Sequence, residues 1–167
     1  MSASGQRRSP AGLSPASSRV VMTSVVLPTD TNTRGTIFGG RILEMIDKAG
    51  AIAAIRHCRS AVVTASIDQV HFLSPVHQGD IVSLEASVNQ VFRSSLEVGV
   101  KVYSEEASSG RRRHTTTAFV TMVALDENGK PKAVPPLKLR TPAEHDRARA
   151  AARRRRWRLE NRSSAGS

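Results

Sequence analysis

Three glycines, Gly35, Gly39 and Gly40, stand just before a long apolar segment that reaches Cys58 without a proline. Within it Ile42, Met45, Ile46, Ala49, Ile52 and Ala53 recur at the spacing of one helix face. Leu43, Gly50 and Ala54 widen that buried side. The pattern predicts a helix from Gly39 to His57, roughly 28 Å long at about 1.5 Å per residue. A helix of that length is long enough to be the centre of a small domain.

The flanking segments have the other period. Val20 to Leu27 is rich in β-branched residues and predicts a first strand, followed by a turn-rich loop, Pro28-Thr29-Asp30-Thr31-Asn32. Four more strands follow the helix: Ala61 to Phe72, Ile81 to Phe92, Leu96 to Tyr103 and Arg113 to Leu125. In the second of these, Val82, Leu84, Ala86 and Val88 face one way, and Ser83, Glu85, Ser87 and Asn89 the other. The polar set predicts a solvent face or an oligomer surface. Short connections favour antiparallel neighbours. One long helix against five such strands is an α+β two-layer domain.

The net charge of +11 is unevenly placed. Residues 141–167 carry eight Arg against three acids, whereas residues 20–140 carry 14 basic and 11 acidic residues. The basic character therefore belongs to the ends, and the domain itself is not read as a nucleic-acid binder. The division expected is a disordered tail over 1–18, a domain over 19–136 and a basic tail over 137–167. That last tail is either a frayed helix or disordered; it is read as solvating, with contact to RNA or an anionic membrane as the alternative. The single cysteine, Cys58, fits a reducing compartment. With no apolar run of membrane-span length and no signal-peptide core, the expectation is a soluble cytoplasmic protein.

Two features of the predicted helix bear on chemistry. The first N–H groups of a helix lack intrahelical partners and favour negative charge, and Gly39 and Gly40 would let a ligand oxygen approach them closely. Asp47 falls at the border between the polar side (Arg41, Glu44, Lys48) and the apolar side. The helical wheel does not separate a working carboxylate from a solvated one, and a charge on a helix is ordinarily solvated. His57 and Cys58 are adjacent and so do not face each other on a helix. His71 and His77 lack the clustered ligands of a metal site.

The chain resembles the hotdog-fold acyl-CoA thioesterases, in the acyl-CoA hydrolase branch. The matching blocks are Pro28-Thr29-Asp30-Thr31-Asn32, Ile37-Phe38-Gly39-Gly40, Met45-Ile46-Asp47-Lys48-Ala49-Gly50, Arg56-His57-Cys58, Val63-Thr64-Ala65-Ser66-Ile67-Asp68, Gly79-Asp80, Arg93-Ser94-Ser95 and Gly129-Lys130-Pro131. They run in the family's order over residues 20–136. The resemblance implies a hotdog fold, a central helix wrapped by a five-stranded antiparallel sheet. It also implies hydrolysis of fatty acyl-CoA to free acid and CoA, with no metal or prosthetic group. Subunits would pair into a continuous sheet, as a dimer or a trimer of dimers, with the active sites at the shared interface.

By the same resemblance Asp47 is the general base or nucleophile. The helix start at Gly39 or Gly40 is the oxyanion hole, and Thr36 stands where the family carries an Asn or Asp that holds the water or the carbonyl. Asn32 joins the substrate-binding set. Arg93, Ser94 and Ser95 either hold phosphate or pantetheine or form an ordinary hairpin turn. Thr64 and Ser66 either line the pantetheine channel or face solvent. Asp47 lies seven residues past Gly40, about 10 Å along the axis, so one helix does not supply both groups to one site. The competing implication is a non-catalytic hotdog module that binds acyl-CoA.

Overall fold

The structure, a computed structural model, describes residues 12–162. Strand β1 (Val20–Val25) is followed by helix α1 (Gly39–Cys58) and strands β2 (Val62–Ile67), β3 (Ile81–Val91), β4 (Ser95–Glu105) and β5 (Arg112–Ala124). Helix α2 (Pro142–Arg162) closes the order. The strands form one antiparallel sheet in the order β1-β3-β4-β5-β2. Helix α1 crosses its inner face and touches every strand. This is the expected helix wrapped by five strands.

The core follows from the two periods. Ile42, Ile46, Ala49, Ala53 and Ala54 of α1 meet Leu84, Val88, Val98, Val100, Val120 and Met122, all essentially without solvent exposure. Burying each of the larger side chains contributes about 1.5–3 kcal/mol. The helix lies close to the sheet at Gly50, where a Cβ would come within 3.2 Å of Met122 Cε. It ends at Arg59, whose backbone is left-handed (φ 52°) and whose N–H returns to the Ile55 carbonyl at 2.8 Å.

Four expectations change. First, β2 stops at Ile67 rather than Phe72. The Asp68 N–H still reaches the Phe119 carbonyl at 3.0 Å, but the chain then leaves the sheet, after a register shift between Thr64 and Ser66. Second, β2 does not pair with β3. It crosses to the far edge beside β5, because residues 68–80 form a long connection instead of a tight turn. Third, residues 12–18 are packed, not disordered. Pro15–Ser18 form a single 3-10 turn with Pro15 and Ser18 buried, and the Leu13 N–H bonds the Pro136 carbonyl at 3.0 Å. Residues 1–11 of the predicted tail lie outside the described residues.

Fourth, Pro142–Arg162 is one 21-residue helix docked on the outer face of the sheet. Its start is a capping box. The Thr141 hydroxyl accepts the Glu144 N–H at 3.2 Å, and the Glu144 carboxylate accepts the Thr141 N–H at 3.0 Å. Proline at the first helical position costs no hydrogen bond. Ala148 and Ala151 are buried beneath it. The face of β3 that carries Ser83, Glu85 and Ser87 is accordingly half-buried, and Glu85 and Ser87 line a groove between sheet and helix. No described helix is long and apolar enough to cross a membrane.

Candidate active site

The segment before α1 is knitted to itself. The Asp30 carbonyl accepts the Phe38 N–H at 2.9 Å, and its carboxylate accepts Arg41 Nε at 2.9 Å and the Leu27 N–H at 3.0 Å. Asp30 thereby fixes both the approach to the helix and its first turn. Asn32 opens a tight turn. Its carbonyl accepts the Gly35 N–H at 3.0 Å, and Gly35 adopts φ 73°, a conformation open to glycine at little cost. Asn32 Oδ1 accepts the Arg34 N–H and Asn32 Nδ2 donates to Thr36 Oγ1, both at 2.9 Å. An amide nitrogen carries two hydrogens, so the second N–H of Asn32 is available to a ligand. Thr36 holds the Asn32 side chain in place.

Helix α1 then begins at Gly39. The Phe38 carbonyl accepts the Arg41 N–H at 3.0 Å, while the Gly39 and Gly40 N–H groups have no acceptor among the described residues. The Phe72 ring lies against Gly39, where a Cβ would meet it at 3.2 Å. Phe38, Phe72 and Leu73 remain about half exposed or more around this tip.

Asp47 is half-buried on the side of α1 that faces β2. Its Oδ1 accepts the Thr64 hydroxyl at 2.5 Å. Thr64 in turn touches Met122 Sδ at 3.4 Å, so core packing sets its rotamer. Asp47 Oδ2 accepts no hydrogen bond among the described residues, which leaves one oxygen able to take a proton. β2 is a sheet edge, and Val63 to Ala65 are exposed on it. The carboxylate therefore sits beside an unpaired strand edge.

The structure brings Asp47 to Thr64, and Asn32 to Thr36. It does not bring the other predicted residues to them. Ser66 lies past the register shift on β2 and pairs with Thr121. Arg93, Ser94 and Ser95 make the β3–β4 turn, with Ser95 opposite Val123, and Val123 opposite Val63 on the edge strand. The turn is thus set two strands in from Asp47's edge. Arg93 is exposed, with its carbonyl accepting the Val134 N–H at 3.0 Å.

His57 is buried with Nε2 at 2.9 Å from the Pro135 carbonyl, a structural bond. Burial pushes the Cys58 thiol up to about 11, opposite to what a nucleophile needs. No group of three or more potential metal ligands occurs among the described residues.

A charged cluster on the other face of the sheet was not foreseen. Glu97 has no solvent exposure and accepts Arg154 Nε at 3.1 Å, Arg154 Nη2 at 2.7 Å and Asn89 Nδ2 at 3.1 Å. The Arg154 guanidinium also lies 3.5 Å over the Phe119 ring. Arg158 Nη1 donates to Asp68 Oδ2 at 2.6 Å and lies 3.7 Å from Glu97. Burial pushes the Asp68 carboxyl up, and the Arg158 charge works against that shift. The sequence signal is the i, i+4 pair of arginines at 154 and 158, with acids at Glu97 and Asp68 among the β-favourable segments.

A family model described as "Thioesterase superfamily" matches residues 34–110. The Bacillus subtilis protein called "Uncharacterized acyl-CoA thioester hydrolase YkhA" is 52% identical over 118 residues, 71% of this chain and 69% of that protein. An apo-hexameric acyl-CoA thioesterase structure superimposes with a TM-score of 0.86 at 45% identity, covering 90% of this chain and 96% of that one. An acyl-CoA hydrolase from Staphylococcus aureus, in complex with butyryl coenzyme A, coenzyme A and coenzyme A disulfide, gives 0.86 at 34% identity, covering 93% of this chain and 94% of that one. Structures of that hydrolase also exist with an asparagine, an aspartate or a threonine replaced by alanine. Those three positions are 15 and 17 residues apart in order, the same intervals as Asn32, Asp47 and Thr64 here.

Proposed function

Because the chain belongs to the thioesterase superfamily, we propose that it hydrolyses fatty acyl-CoA to free acid and CoA, using Asp47 and the Gly39–Gly40 helix tip. The observation that carries this reading is the Asp47 carboxylate, with one oxygen bonded to Thr64 and the other unoccupied, beside an open strand edge. In this reaction water adds to the thioester carbon. The carbonyl oxygen becomes an oxyanion, the C–S bond breaks, and the thiolate leaves and takes up a proton. Asp47 either accepts the water's proton or attacks the carbon itself to give an anhydride that water opens. Free N–H groups at the helix tip stabilise the oxyanion without reorganising. The group holding water or carbonyl is the second N–H of Asn32, with Thr36 as its support.

Asp47 and the helix tip of one chain are about 10 Å apart along the axis. The working site therefore combines Asp47 of one protomer with the tip of its partner, in a homo-oligomer joined along the β2 edge. Hexameric assembly of a similar thioesterase supports this reading. Thr64 and Ser66 on that edge, and Arg93 to Ser95 on the hairpin turn, are the proposed contacts to the CoA portion. The metal-free chemistry asks for no resident cofactor.

The test is release of free thiol from acyl-CoA of varied chain length, followed with a thiol reagent. Turnover by the purified chain is the expected result. Thermal stabilisation by acyl-CoA without turnover would instead assign a non-catalytic binding module.

A further inference from the structure

Residues 69–75 have no place in the sheet, yet they form the wall beside the helix tip. Phe72 lies against Gly39. The segment is held at three points. Its C-terminal end joins the strand-like approach to α1, where the Val76 carbonyl accepts the Ile37 N–H at 2.8 Å and the Gly35 carbonyl accepts the Gln78 N–H at 3.0 Å. Its middle is held by the Leu73 N–H, which bonds the Thr115 carbonyl at 2.9 Å. Its N-terminal end is Asp68, whose backbone pairs with Phe119 and whose side chain is gripped by Arg158 at 2.6 Å.

Arg158 and Asp68 are both largely buried, with side-chain exposures of 17% and 18%. An ion pair so placed has fixed geometry, unlike a surface pair. Arg158 is carried by α2, which is independently anchored by the two bonds from Arg154 to Glu97. The mechanical chain runs from Glu97 on β4, through α2 and Arg158, to Asp68 and the wall at Phe72. It links the outer face of the sheet to the inner site.

We propose that Arg158 is a positioning residue: through Asp68 it sets residues 69–75 against the Gly39–Gly40 tip and so sets how tightly the acyl-CoA thioester is held there. This rests on the reading of that tip as the substrate site. Released from Arg158, Asp68 is a largely buried carboxylate that has lost its hydrogen-bonded cation; it turns toward water and carries Phe72 away from Gly39. Substrate contacts weaken, while Asp47 and Thr64, held by α1 and β5, keep their arrangement.

The experiment compares wild type with Arg158→Met, Arg158→Lys, Arg154→Met and Asp68→Asn. It reads kcat and KM for one acyl-CoA, its dissociation constant, and amide exchange at 69–75 against 39–58. Arg158→Met is expected to raise KM and Kd roughly tenfold, about 1.4 kcal/mol of lost contact. The kcat should stay within about twofold, with exchange accelerated at 69–75 only. Arg158→Lys restores most of the affinity, and Asp68→Asn reproduces the loss. Unchanged KM and Kd in Arg158→Met overturn the proposal. So does exchange in Arg158→Met that accelerates equally over 39–58 and 69–75, the mark of general loosening; Arg154→Met, which weakens the anchor of α2 but leaves Asp68 its bond to Arg158, is expected to lose less affinity than Arg158→Met. If Arg158→Met fails to fold, Asp68→Asn decides: wild-type affinity there overturns the proposal. If the wild type itself does not turn over, the hydrolase reading fails, and the dissociation constants still answer for Arg158.

Discussion

Glu97→Gln tests how α2 is held to the sheet, because Glu97 lies on the outer face beneath that helix. Its carboxylate faces donors only: two from Arg154 at 3.1 and 2.7 Å, one from Asn89 at 3.1 Å, with Arg158 Nη1 at 3.7 Å. Glutamine keeps the shape but presents one acceptor and one donor, so an N–H is forced against an N–H. It also removes the charge that offsets Arg154. Breaking a buried pair by removing one partner costs about 3–5 kcal/mol. The Arg154 side chain is 25% exposed and can turn toward water, which places the cost near the lower end, about 3 kcal/mol. For a chain of this size that is a fall in Tm of about 6–12 °C. Calorimetry at fixed protein concentration measures it, since an oligomer's Tm depends on concentration. Replacing both partners, Glu97→Met with Arg154→Met, removes the unpaired charge and should recover about half the loss or more. A Glu97→Gln protein that melts within about 2 °C of wild type would refute the reasoning.

Three further outcomes are expected. Cys58, its thiol raised to about 11 by burial, should be silent to a thiol reagent at pH 8 in the native protein and titrate fully after denaturation. The Glu85 carboxyl is held below its ordinary value of 4.5 by the Arg112 hydrogen bond and by the Arg112 and Arg19 charges. Its contribution is therefore present above about pH 4.5 and lost as pH falls through the lowered value, and Glu85→Gln should flatten the acid side of a Tm-against-pH curve measured by calorimetry. At Gly99 a Cβ would stand 2.7 Å from Asn89 Nδ2, the group that donates to Glu97. Gly99→Ala should thus cost about 1–3 kcal/mol in denaturant unfolding.

The central helix was legible because glycines bracket its start and its apolar residues keep one period for five turns. The inner faces of β3, β4 and β5 were legible for the same reason, since Leu84, Val98 and Val120 alternate without interruption. The end of β2 was not. Ala61 to Phe72 is β-favourable throughout, yet the strand ends at Ile67, and the next residue, Asp68, is paired with Arg158, 90 positions away. The docking of α2 was hidden for a related reason. Glu97 occupies a polar strand position, where an acid reads as solvated, and only the packed helix shows that it is buried. The capping box Thr141-Pro142-Ala143-Glu144 was a local signal of that helix and could have been read. At the candidate site the pairing of Asp47 with Thr64 needs the β2–β5 crossover, which no local pattern specifies. The bond between Asn32 and Thr36 emerges only once the turn at Gly35 folds one onto the other.

The most direct test of the account is Asp47→Asn, which keeps the size of the side chain and its place beside Thr64 while removing the proton acceptor. Acyl-CoA affinity should stay near wild type, and kcat should fall by about 10²-fold or more, the scale of a lost general base. A variant that binds acyl-CoA and still releases thiol at the wild-type rate would contradict the assignment of thioester hydrolysis to this carboxylate.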